Sequence, residues 1–87
     1  MTYEEFMAFL RQEGELRATQ GGLMPIPELR PRVPLDRAVF DEHVLRLHGE
    51  RLIHLLSHVD GANLPEAVRK DCIVHPGGAH LYWIRWL

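Results

Sequence analysis

Cysteine is nearly missing from this chain. Cys72 is the only one in 87 residues, so no internal disulfide can staple the fold, and a reducing, cytoplasmic setting is expected. Lysine is as scarce: Lys70 stands alone among ten basic residues, the rest being arginine. No apolar run approaches the ~18 residues that a membrane span needs, so no membrane partner is expected. The acidic pair Glu4 and Glu5, close behind Met1, is unlike the basic start of a signal peptide.

A surplus of positive charge is lacking too. The formal charge is −2, whereas nucleic-acid-binding domains usually carry excess Lys and Arg to displace counterions from phosphates. Any basic face must therefore be local. Also absent are a Gly-rich phosphate loop, a nucleophile elbow and an HExxH helix, and no enzyme activity is expected. Ser57 beside His58 is mere adjacency, because neighbours on a strand point to opposite faces. Cys72 has an acidic neighbour, Asp71, which opposes thiolate formation rather than promoting it.

What is present suits one small globular domain spanning residues 1–87. Apolar residues make up 46% of the chain, enough for a core and against wholesale disorder. At this length the net stability is expected to be roughly 4–13 kcal/mol, and dimerisation would bury more surface. Six histidines raise the question of a metal. His54 and His58 share one face of a predicted strand, and His75 and His80 flank a turn. Zinc needs three or four ligands at suitable spacing, and no CxxC accompanies them. A polar surface, with no metal and no cofactor, is the expectation.

Thr2 and Glu5 have the spacing of a capping box, and Met1 and Phe6 that of a hydrophobic staple. Tyr3, Phe6, Met7 and Leu10 then predict a helix from about Thr2 to beyond Glu13. Gly14 weakens it, and Gly21-Gly22 is a firm break. Four prolines between Pro25 and Pro34 limit the next stretch to an extended piece at Met24–Ile26 and one helical turn at Pro27–Arg30. Asp36 reads as an N-cap, with Leu35 and Phe40 placed as a staple, and Phe40, Val44 and Leu47 form an apolar stripe. This third helix either stops near Gly49–Arg51, with a strand at Leu52–His58, or continues to about Val59. The shorter form is favoured. A short helix from Asn63 to Lys70 and a terminal strand at His80–Leu87 complete the α+β reading.

The stretches PIPELRPRV, LDRAVFDEHVLRLHGERLIHL and PGGAHLYWIRWL, in that order, resemble the winged helix-turn-helix superfamily. The resemblance covers about Pro25 to Leu87, and the first helix completes it. It implies three helices followed by a C-terminal β hairpin, the wing, here carrying a short helical excursion. Two features depart from the pattern: Pro31 interrupts the second helix, and Arg51 stands where relatives often carry Gly.

The resemblance implies double-stranded DNA as a partner, with the third helix in the major groove. On that reading Arg46 reads guanine and His43 reaches a phosphate from the face opposite the stripe. Arg30, Arg32 and Arg37 would hold the DNA backbone. A protein-interaction or dimerisation module is the alternative. The terminal strand supports it, with Leu81, Trp83, Arg85 and Leu87 on one face and Tyr82, Ile84 and Trp86 on the other. Two apolar faces exceed what one small core needs, so Tyr82, Trp83, Ile84 and Trp86 are the candidate interface, on a strand expected at the sheet edge.

Overall fold

The computed structural model describes residues 1–87. Its first helix, α1 (Tyr3–Leu16), starts on the expected capping box. Glu5 N–H donates to Thr2 Oγ1 at 3.1 Å and Thr2 N–H donates to Glu5 Oε1 at 2.8 Å. This reciprocal pair satisfies two amides that no helical carbonyl can reach. Met1 closes no staple; it stays exposed while Phe6 is fully buried. Gly14 lies within the helix. Its missing side chain admits Trp86, whose Cδ1 would lie 2.9 Å from a Cβ at that position.

Past a 3-10 turn at Ala18–Gln20 and the Gly21-Gly22 break come β1 (Met24–Pro25) and α2 (Ile26–Leu29). Both are minimal, and a 3-10 turn at Arg30–Arg32 continues the chain, as prolines that cannot donate backbone hydrogen bonds require. Ile26 and Leu29 are still fully buried, so even this irregular stretch contributes to the core.

Helix α3 (Arg37–Gly49) is capped by Asp36, whose carboxylate accepts from Val39 N–H at 2.9 Å. Phe40, Val44 and Leu47 are its buried residues. The helix takes the shorter of the two expected lengths. The left-handed position of its cap falls to Arg51, at φ +62°, rather than to Gly49. Leu52 N–H returns to Leu47 O at 3.1 Å and Arg51 N–H to His48 O at 3.0 Å, the two bonds of a Schellman cap. A side chain in that conformation costs about 1–2 kcal/mol. Arg51→Gly should therefore stabilise the domain by roughly 1 kcal/mol, raising Tm by about 4–8 °C. A thermal melt checks this, and an unchanged or lower Tm would count against strain at Arg51.

The remaining strands are β2 (Ile53–Ser57), β3 (Ile73–Val74) and β4 (His80–Trp86). Between β2 and β3 lie a 3-10 turn at Gly61–Asn63 and α4 (Glu66–Arg69), so the expected short helix is split at Leu64-Pro65. All pairings are antiparallel, in the order β1-β4-β2 with β3 also against β4. The fold is thus α+β, with four α-helices and a four-stranded sheet. Helices and sheet share one core. Phe6 of α1 meets Phe40 of α3 edge to face at 5.3 Å, and the sheet adds Met24, Ile53, Ile73 and Ile84. No helix is long and apolar enough to cross a membrane.

Two expectations about the terminal strand need correction. First, β4 lies at the centre of the sheet, with partners along both sides. Its place at the end of the chain does not put it at the edge; β2, β1 and β3 each pair only with β4, and β2 is the longest of these edge strands. Second, its alternation is broken. Leu56 stands opposite Trp83 but Ser57 stands opposite Leu81, leaving Tyr82 as the extra residue of a β-bulge. Leu81 therefore packs against the core, while consecutive Tyr82 and Trp83 touch, ring centroids 4.6 Å apart.

Candidate interaction surfaces

The arginines expected at a DNA backbone do cluster near the α2–α3 turn, but each already holds a carboxylate. Arg30 Nη2 lies 2.7 Å from Asp41 Oδ1, and its side chain is only 12% exposed. Its Nε donates to Asp71 O at 2.6 Å and its guanidinium covers the Phe40 ring at 4.7 Å. Arg32 pairs with Glu13 at 2.5 Å, a carboxylate buried in α1 that Arg17 also approaches at 3.7 Å. Arg37 donates to Cys72 O at 3.2 Å and faces Asp71 at 3.7 Å. Together Arg30 and Arg37 tie the segment before β3 to the helices. They act as clasps between elements, whatever else they do.

His43 is not on the outer face of α3. At 100° per residue it follows Phe40 by three positions and lies at the margin of the Phe40–Val44–Leu47 stripe. Its ring packs against Tyr3 at 5.6 Å and Phe6 at 5.4 Å, and its Nε2 is buried with no hydrogen-bond partner. A groove-facing role for His43 is thereby corrected; the i+3 spacing alone would have indicated it. Arg46 sits at the exposed rim, with its guanidinium over the Tyr3 ring at 3.8 Å and its Nε 3.1 Å from Glu50 Oε1.

The same corner shifts an ionisation. Tyr3 donates its O–H to Glu50 Oε1 at 2.7 Å. Burial, then that hydrogen bond and the Glu50 charge, push the phenol up from its ordinary 10.0 to about 12. Burial also raises Tyr82, the only other tyrosine. A raised phenol contributes stability that is complete below the unfolded value of about 10 and lost as pH rises through about 12. A phenolate absorbance titration should accordingly show one tyrosine ionising at about 12 while the fold persists. Tyr3→Phe should remove the step at about 12. Two full tyrosine equivalents titrating near 10 in the folded protein would refute the buried Tyr3–Glu50 pair.

Of the four candidate interface residues, two belong to the interior. Ile84 is fully buried, between Met24 and Leu55 on the neighbouring strands. Trp86 is half-buried within the domain itself. Its Nε1–H donates to Leu10 O at 3.0 Å, and the Arg11 guanidinium lies 4.2 Å from its ring centroid. Tyr82 and Trp83 remain partly exposed, and His58 joins them. The His58 ring stacks on Trp83 at 5.9 Å and meets Tyr82 edge to face at 4.9 Å. Sequence reading missed His58, because only the bulge brings both aromatic rings to its side.

Two of the four histidines weighed as ligands, His58 and His75, bond in turns. His58 Nδ1 accepts from Asp60 N–H and His75 Nδ1 from Gly77 N–H, each at 3.0 Å. No three His, Cys, Asp or Glu side chains come together in a group that could hold a metal ion. Cys72 is fully buried, its Sγ 3.6 Å from Val68 O, and burial pushes its thiol up. Neither a protein-family model, a curated protein nor a solved structure matches the chain.

Proposed function

We propose that this chain is a non-enzymatic self-association module of winged-helix type, pairing with a second copy through strand β2. The observation that carries this is the free side of β2, which pairs only with β4. Its residues, Ile-His-Leu-Leu-Ser, include none of the lysines, acids or prolines with which natural edge strands resist pairing. A second copy is the fitting occupant. Antiparallel pairing about a twofold axis sets this uncharged run against itself, with no like charges opposed.

The cluster of His58, Tyr82 and Trp83 lies beside this strand and offers the aromatic anchors that interfaces favour. The chain order α1-β1-α2-α3-β2-α4-β3-β4, with β1 beside the last strand and α4 and β3 inserted before it, supports the winged-helix reading. Double-stranded DNA is the less favoured ligand, because Arg30, Arg32, Arg37 and Arg46 already face carboxylates.

Sedimentation of the whole protein over a range of concentrations tests the reading. A dimer in the micromolar range is expected, and Leu56→Lys should shift it to monomer while circular dichroism stays unchanged. A monomer at every concentration overturns the proposal. Salt-dependent binding of mixed-sequence duplex by that monomer would install DNA as the partner instead.

A further inference from the structure

We propose that the hollow between the end of β2 and the β3–β4 turn binds a small oxyanion, the phosphate or carboxylate group of a low-molecular-weight ligand. Ser57, the last residue of β2, belongs both to this hollow and to the strand proposed to pair with a second copy. Its cavity measures about 370 Å³, within the roughly 300–1,000 Å³ of ligand pockets. Three polar side chains line it: Ser57 at the end of β2, Arg69 at the end of α4 and His80 at the start of β4. The rest of the lining is glycine and alanine, with no carboxylate.

Arg69 gives the site its character. The residue is half-buried, and its Nε is shielded from solvent with no hydrogen-bond partner. Arg17 and Arg30 also have buried nitrogens without hydrogen bonds, but those guanidinia lie against Glu13 and Asp41. Arg69 has no such counter-charge. A partly desolvated cation without an anion is costly, and an anion in the cavity relieves that cost.

The donor set is of the right kind. A guanidinium presents a fork of N–H groups matched to a carboxylate or phosphate, and Ser57 and His80 add a hydroxyl and a ring N–H. Polar side chains from three elements thus border one space. The other hollow, beside Trp86, has Arg11 and Arg85 in its lining but also Glu15, so it lacks this uniform preference for an anion.

Titrating the whole protein with inorganic phosphate and, separately, with acetate tests the site, followed by the NMR signals of Ser57, Arg69 and His80. Saturable shifts centred on those residues, with a Kd in the millimolar range, are expected in at least one arm. Tighter phosphate binding assigns a phosphoryl ligand, and tighter acetate binding a carboxylate. Arg69→Gln should weaken binding at least about tenfold, and Ser57→Ala, at an exposed position, should weaken it less. Arg11→Gln, at the other hollow, should leave it unchanged. Absence of saturation in both arms overturns the proposal, as does an Arg69→Gln protein that folds and binds like the parent.

Discussion

Replacing Phe40 by Ala is expected to cost roughly 3–5 kcal/mol, against a total of only about 4–13 kcal/mol for a domain of this length. Phe40 is 1% exposed. It joins α3 to α1 through its edge-to-face contact with Phe6, and it carries the Arg30 guanidinium on its ring. Truncation therefore opens a cavity where two helices meet and removes the surface on which Arg30 lies. The neighbouring side chains are held by their own contacts and can fill the space only in part. Urea unfolding should show the midpoint falling sharply with little change in m. A loss below about 1 kcal/mol would mean that α3 faces the core differently.

Trp86→Ala is expected to destabilise the monomer by about 3 kcal/mol, the low end for a buried Trp because the residue is not fully buried. The indole seats against Gly14, donates to Leu10 O and lies under Arg11, so it is the bolt between α1 and β4. The sequence alone suggested the opposite outcome: a dimer falling apart around an intact fold. Denaturant titration and sedimentation of the same variant separate the two. A folded, fully stable monomer would return Trp86 to the interface, whereas a destabilised chain places it in the domain. Trp86→Phe, which keeps the ring contact but loses the N–H, should retain most of the stability.

What could be read from the sequence was local. Thr2–Glu5, Asp36, the Gly21-Gly22 break and the Phe40–Val44–Leu47 stripe act over three to seven residues, within the reach of helix geometry. They emerged with nearly their expected boundaries. The proline-rich stretch was equally readable, because proline removes a donor wherever it sits.

Only the tertiary structure decided the rest. Whether β4 lies at the centre or the edge depends on which strands reach it, and β1 arrives from about sixty residues away along the chain. The bulge at Tyr82 exists only in the register with β2, so period-2 alternation put Leu81 and Trp83 on one face. Except for Arg46, whose partner Glu50 is one turn away, the arginines looked free because their partners are remote: Arg37 faces Asp71 across 34 positions and Arg30 meets Asp71 O across 41. Composition counts charges without saying which are paired. Short-range geometry selects helices and turns, but the faces they cover and the charges they neutralise are fixed by contacts that form only when distant segments pack.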